Sequence, residues 1–555
     1  MTSTGTRLED GDEAMRFSHP VAFWFGTAAC FAGVALHLPM YVSARDNGYR
    51  LAHMAPDLPM IVGMVLIGVG LGASLYGLVP RGAGAIRREA RDIRVAALDD
   101  APIRFQHIAL LVVMTLATTI DVMKPTTLSF VAPGVAQEYG LRTAANPHGH
   151  LPVSWLPLVG ITGTVVGSLV WGWLGDRTGR RASILFAGVL FMSTSVCGAM
   201  PGFEWNLLMC FVMGIGAGGM LPITFALLAE TIPARHRGWL VVLIGGDVAG
   251  AYVATSWLAG ALTPHFGWRI LWLLGAPTGL LLLVLNRWIP ESPRYLLAAG
   301  RRAAAVAVMR RYGATVVSDA DRPPGPRGSV LPAAGRPWSA RGSSGRSLIG
   351  PTAALGALAI AAGLLTYGFQ FWVPTNLQRL GLTAVTSDYI LRDSALLGLP
   401  LTVLVALLYG FWSSRHTILC LSVLTLLGVV AFAVWSGSLR DDRFLLTVLL
   451  TVPLSGIGSV IAAVTAYSAE IYPTRVRSRG TGLVAGMTKA GGVLVLGLVV
   501  AAATTPSIGA TALIGVAPLA VAVVLFAWTA PETARRGLEE LSFSRPEDVG
   551  SAGRR

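Results

Sequence analysis

The apolar positions of this chain recur neither at every second residue nor on one helical stripe. They come in unbroken runs, each long enough to cross a membrane and each closed by a polar connection. A helix of about 20 apolar residues covers the hydrocarbon core of a bilayer, so each run predicts one crossing. Two runs come first, at about 20 to 42 and 57 to 79. Twelve more follow, at about 105 to 133, 152 to 174, 181 to 200, 205 to 229, 238 to 262, 269 to 289, 348 to 377, 389 to 411, 416 to 436, 444 to 469, 480 to 502 and 508 to 529. The predicted fold class is all-α, a polytopic membrane protein with 14 transmembrane helices. Residues 1 to 19 are polar and acidic near their start, at Glu9, Asp10, Asp12 and Glu13, the reverse of the basic start of a signal peptide. The first run is therefore expected to stay attached.

Composition points the same way. With 53% hydrophobic and 13% charged residues over 555 positions, and a mean hydropathy of +0.62, the chain is too apolar for a soluble protein. Its net charge of +14 would suit nucleic acid if it lay on one face, but the arginines fall in the connections between apolar runs. That excludes nucleic acid as the partner and favours the lipid bilayer. Arg81 to Arg94, Arg177 to Arg181, Arg235 and Arg237, Arg415, and Arg475 to Arg479 occupy alternate connections. The positive-inside rule places these, and both termini, on the cytoplasmic side of a plasma membrane. Cys30, Cys197, Cys210 and Cys420 lie in or beside apolar runs with no regular spacing, which argues against a metal site and against a disulfide framework.

The longest connection, about 290 to 347, begins as a short Arg-rich helix and continues as a tether rich in Pro, Gly, Ser and Arg. It divides the membrane core into two halves that repeat. Gly172 to Arg177 matches Gly410 to Arg415, Glu230 to Gly238 matches Glu470 to Gly480, and Pro290-Glu-Ser matches Pro531-Glu-Thr, at offsets of 238, 240 and 241. Internal duplication of this kind marks transporters whose substrate binds between the repeats. The expected organisation is an extension over 1–104 with two added helices and a basic linker, a six-helix half over 105–290, a cytoplasmic loop over 291–347, a second six-helix half over 348–530, and a tail over 531–555.

Charge inside the apolar runs is scarce, and therefore informative. All but two of the 43 basic residues are arginine, yet Lys124 and Lys489 both lie deep in predicted membrane helices. A lysine ammonium is compact and loses its proton when desolvated, which a guanidinium does not. Asp121 and Lys124, three residues apart, are expected to share a helix face near the middle of the first core helix. Pro125, which lacks an N–H, frees the carbonyl of Asp121 for water, an ion or a ligand. Asp247 lies nine residues after Gly238 and Lys489 nine after Gly480, equivalent positions of opposite charge. Charges at this depth cost several kcal/mol unless paired or wet, so these four read as a site, with a purely structural pairing of helices as the bland alternative.

At these residues the chain resembles the major facilitator superfamily, over roughly 105 to 540. Gly172-Trp-Leu-Gly-Asp-Arg-Thr-Gly-Arg-Arg181 is similar to its loop between the second and third core helices. Pro290-Glu-Ser-Pro-Arg294 and Pro531-Glu-Thr533 resemble the ends of the halves in its sugar-porter and organic-ion branches. The first core helix resembles the metabolite/proton symporters of the aromatic-acid branch, matching at Asp121 and Pro133, with Lys124 where that branch carries a second aspartate. The resemblance implies a cytoplasmic gate built from Asp176 and Arg177. Glu230 with Arg235 or Arg237, and Glu470 with Arg475 or Arg477, complete the same charge network. Arg180 and Arg415 belong to it or anchor their loops. It also implies that the seventh core helix faces the cavity through Tyr367 and Gln370.

The function expected is proton-coupled symport of a small organic acid by alternating access, with Lys489 holding the carboxylate and Asp121 or Asp247 exchanging the proton. Efflux of drugs or metabolites by proton antiport is the alternative, and a non-transporting receptor or scaffold the alternative of another class. The partners expected are the solute, protons and lipid, with the chain working as a monomer. The glycine run at 214 to 219 lies inside an apolar run without a preceding strand, so it reads as close helix packing rather than a dinucleotide fingerprint. Neither lysine sits in a phosphate loop and no zinc motif occurs, so no enzyme activity and no cofactor are expected.

Overall fold

The computed structural model describes residues 18–52, 54–78, 96–143, 146–314, 348–379, 384–435, 443–473, 476–502, 508–534 and 536. The Arg81–Arg94 segment, the tether after Ala314 and Arg475 lie outside the described residues, as do the side chains from 369 to 392, that of Gln370 among them.

The chain opens with α1 (Pro20–Ala35), α2 (Leu38–Ser43) and α3 (Leu58–Leu78), followed by the short α4 (Ala96–Asp99). The first half holds α5 (Phe105–Tyr139), α6 (Trp155–Thr178), α7 (Arg180–Ser193), α8 (Phe203–Thr231), α9 (Ala234–Gly245), α10 (Val248–Phe266), α11 (Ile270–Leu273) and α12 (Gly275–Leu285). After α13 (Pro293–Ala298) and α14 (Arg302–Arg311), the second half holds α15 (Ile349–Arg379), α16 (Ala384–Phe411), α17 (Ser414–Trp435), α18 (Arg443–Ile471), α19 (Arg477–Ala502) and α20 (Ile508–Thr529).

Among the described residues, 12 stretches are long and apolar enough to cross a membrane, and shorter apolar segments of α16 and α20 complete the fourteen expected from the sequence. Three crossings are each built from two α-helices: α1 with α2, α9 with α10, and α11 with α12. Many outward side chains are large and apolar, such as Val65, Leu427, Val434 and Trp528, as lipid contact requires.

Small residues let these helices approach closely. A side-chain carbon on Gly214 would stand 2.2 Å from the carbonyl oxygen of Gly160, and one on Gly218 would stand 2.4 Å from that of Thr164, so the glycine run is the contact of α8 with α6. The same device joins α1 to α3, where a side-chain carbon on Gly26 would stand 2.5 Å from the Gly70 carbonyl oxygen and one on Gly70 2.6 Å from that of Gly26.

The added helices rest on the first half, chiefly on α7. Near one end of the membrane, Glu138 at the close of α5 accepts the backbone N–H groups of Leu51 and Ala52 at 2.7 and 2.9 Å, and pairs with Arg269 at 2.7 Å. At the opposite end, Asp99 of α4 pairs with Arg237 and Arg294.

Candidate functional site

α5 runs unbroken through Pro125 and Pro133. Next to the first proline, the Thr126 and Thr127 hydroxyls donate to the carbonyls of Val122 and Met123 at 2.7 and 2.8 Å, which supports the turn that the missing N–H weakens. Asp121, Val122, Pro125 and Thr126 form one face of this helix and line a cavity of about 220 Å³ between the two halves. The opposite wall comes from Thr366 and Tyr367 of α15, Thr402 of α16, Ser455, Ser459 and Thr465 of α18, and Thr488 and Lys489 of α19. Hydroxyls therefore supply most of the polar lining, and the charges are Asp121 and Lys489.

Lys489 crosses the interface. Its Nζ donates to Ser168 Oγ at 3.0 Å and to the Gly218 carbonyl at 2.9 Å, both in the first half. Asp121 is buried, and its Oδ1 has no hydrogen-bond partner among the described residues. The two groups are close enough to act on one another electrostatically but do not meet within ion-pair distance. Tyr367 packs over Gly492 beside Asp121.

Two of the four intramembrane charges depart from the sequence expectation. Lys124 does not share the cavity with Asp121. Ile120, Met123, Lys124 and Thr127 make the other face of α5, and line a separate small pocket with Thr255, Leu271 and Thr278. Three residues is about 60° short of a full helical turn, and with Asp121 already near the rim of its face that rotation carries Lys124 off it. Its ammonium lies 5.7 Å from the Phe191 ring centroid and against Gly275, where a side-chain carbon would fall 2.6 Å from it.

Asp247 stands at the break between α9 and α10, and its carboxylate accepts the Thr119 hydroxyl. Its neighbours Gly246 and Val248 reach the cavity wall. Gly246 is needed there, because a side-chain carbon would fall 2.0 Å from the Thr402 methyl. Lys489, its sequence equivalent, sits in an unbroken helix.

At the end of the bundle expected to be cytoplasmic, three of the expected gate residues, Asp176, Arg180 and Glu230, form a charge cluster with the start of α19. Asp176 accepts the backbone N–H groups of Ser478 and Arg479, at 3.3 and 3.2 Å, at the start of α19 in the other half. Glu230 holds Arg180 at 3.1 Å and Arg477 at 2.8 Å, one from each half. Arg180 also reaches Asp176 at 3.4 Å.

Four of the expected gate residues do not cross the interface. Arg177 stacks on Trp173 of its own helix, 3.9 Å from the ring centroid, and the Arg415 guanidinium donates to the Ala527 carbonyl of its own half. Glu470 accepts Tyr409 at 3.0 Å and Thr533 at 2.6 Å, again within its half. Arg237 is paired with Asp99 rather than with the second half.

Sequence reasoning named Arg477, with Arg475, as a partner of Glu470 and did not foresee its pairing with Glu230 of the other half, although Glu230 and Glu470 stand at the same offset as Arg237 and Arg477. It also missed Glu291, which accepts the N–H of Arg180 at 2.8 Å, and Glu532, which accepts that of Ser414 at 3.0 Å. Each caps the third helix of its half from the Pro-Glu motif at the end of that half. The Asp99 contacts gave no sequence signal.

Over residues 110–452 the chain matches the family described as Major Facilitator Superfamily. It is 27% identical over 420 residues to the niacin transporter NiaP of Acinetobacter baylyi, covering 72% of this chain and 88% of that protein. The 4-hydroxybenzoate transporter PcaK of the same bacterium is 27% identical over 430 residues, covering 74% and 87%. Among solved structures the fold is similar to the E. coli proton:xylose symporter XylE bound to 6-bromo-6-deoxy-D-glucose, with a TM-score of 0.64 at 19% identity over 78% of this chain and 98% of that one.

Proposed function

Since this chain belongs to the major facilitator superfamily and is a multi-pass membrane transporter, we propose that it carries a small organic acid across the plasma membrane together with protons, by alternating access at the cavity between its halves. The observation that supports this most is Lys489. A single ammonium, mounted on the second half, spans the cavity and rests on a hydroxyl and a carbonyl of the first half. Neutral acceptors of this kind are weaker partners than a carboxylate, whose charge-assisted hydrogen bonds are roughly twice as strong. A substrate carboxylate entering the cavity displaces them and ties the two halves together through itself.

Asp121 supplies the coupling in this reading. Ionised, it competes with the substrate for the Lys489 charge. Protonated, it leaves that charge to the substrate, so acid and proton bind together and leave together. The relatives named for niacin and 4-hydroxybenzoate support an aromatic acid, because both compounds are carboxylic acids on a six-membered ring. Asp176, Arg180, Glu230 and Arg477 close the cytoplasmic side in the state described, with both termini on that side.

The test is uptake into proteoliposomes of niacin, 4-hydroxybenzoate, sugars and cationic drugs, with and without an imposed proton gradient. Gradient-driven uptake of an acid is expected, and Lys489→Ala should reduce it about 10-fold or more, the loss of a hydrogen bond to a charged group. Movement of cations alone, or a Lys489→Ala variant that transports like the native chain, would sink the carboxylate-binding role.

A further inference from the structure

We propose that Asp99, at the end of the linker joining the two added helices to the core, stands in for an acid that no described residue of the second half supplies and keeps Arg237 inside the first half. The added segment thereby sets how firmly the cytoplasmic side closes. This rests on the gate reading above and deepens it.

The two halves can be followed residue by residue at this end. Gly172 of α6 packs on Ser478 and Arg479 at the start of α19, and Gly410 of α16 packs on Trp239 near the start of α9. From there they diverge. α6 runs on to Thr178 and so carries Asp176 to the N–H groups of α19. α16 ends at Phe411, one residue past its glycine, and α17 begins at Ser414. Ser414, which matches Asp176 by sequence offset, is capped by Glu532 as Arg180 is capped by Glu291, so among the described residues of the second half none occupies the place of Asp176.

The remaining pair differs as well. Glu230 holds Arg477 across the interface, whereas Glu470 is occupied by Tyr409 and Thr533. Arg237, the equivalent of Arg477, is 3% exposed and needs an acid at that depth. Asp99 provides it and also reaches Arg294 at 3.5 Å. Without Asp99, the next carboxylate whose charge acts on Arg237 is Glu470, in the other half. Asp99 therefore diverts Arg237 from a second latch across the interface.

The experiment places one reporter cysteine at Ser459, in the cavity wall, in a background whose four native cysteines are serine, and follows labelling by a membrane-impermeant maleimide from the face bearing Asp176. Asp176→Asn is expected to speed labelling at least about fivefold and Asp99→Asn to slow it at least about fivefold, as loss and gain of a coupling contact. Adding Glu470→Gln to Asp99→Asn should bring the rate back to within about twofold of the native chain. Asp99→Glu, which keeps the charge on a longer arm and spares the fold, should shift labelling in the same direction as Asp99→Asn by a smaller factor. If Asp176→Asn responds while both Asp99 variants label at the native rate or faster, Asp99 is an anchor only and the proposal is overturned. If Asp176→Asn does not respond either, the gate reading fails and this inference falls with it.

Discussion

At the end of the first half expected to be cytoplasmic, Asp176 and Glu230 reach over the interface to the start of α19. At the matching end of the second half, none of the described acids reaches back to α9. The two ends descend from one repeated pattern, and their glycines still pack on the opposite half in the same way. What separates Asp176 from its counterpart is helix length: α6 continues for six residues beyond Gly172 and α16 for one beyond Gly410. A shared motif thus preserves shape where backbone meets backbone, while a few residues of extra helix decide where the charge lies. Among the described residues the acidic contacts across this end all come from the first half, and the segment outside the repeat, through Asp99, pairs with Arg237.

The comparison breaks most visibly if the two glutamates prove equal. Glu230→Gln leaves Arg180 and Arg477 buried without the acid they share, and should destabilise the purified protein by about 3 to 5 kcal/mol in a denaturant titration. Glu470→Gln removes only the acceptor of two hydroxyls, and should cost about 1 to 3 kcal/mol. Equal losses would mean that Glu470 makes a cross-interface pair after all.

A second pair of variants should show the halves behaving alike. Gly172→Ala and Gly410→Ala each push a methyl to within 2.6 and 2.5 Å of the opposite half. Overpacking of this kind costs about 1 to 3 kcal/mol, and both variants should open the cytoplasmic side by similar amounts in the cysteine-labelling assay. A strong effect from only one would show that the shape equivalence is as lopsided as the charge.

The smallest effect concerns the two capping glutamates, and it is read through pH. Burial raises the affinity of Glu532 for its proton, but hydrogen bonds from Ser413, Ser414 and the backbone outweigh that and bring its pKa from an ordinary 4.5 to about 2. Because the folded value is the lower one, its stabilising contribution is present above 4.5 and is lost as pH falls from there toward 2. Glu291 runs the other way: burial dominates its hydrogen bonds and raises its pKa, so its contribution is present at low pH and declines as pH rises through the raised value. Acid titration of stability should flatten below pH 4.5 in Glu532→Gln but not in Glu291→Gln, and the reverse result would exchange the two assignments.

The sequence by itself determined the crossings, the two-fold repeat and the family. Each of these follows from local rules: a run of about 20 apolar residues must become a helix in lipid because its backbone has no other partners there, and duplicated motifs keep their spacing. It also singled out Asp121 and Lys489, because an uncompensated charge in an apolar run is costly enough to be informative. The tertiary structure alone decided which charges meet. Helix rotation took Lys124 away from Asp121, the break between α9 and α10 placed Asp247 against Thr119, and the hydroxyls of Tyr409 and Thr533 hold Glu470 in its own half while Asp99 takes Arg237. An ion pair forms over a few ångströms between side chains that can be far apart in the chain, and one turn of helix is enough to exchange one partner for another.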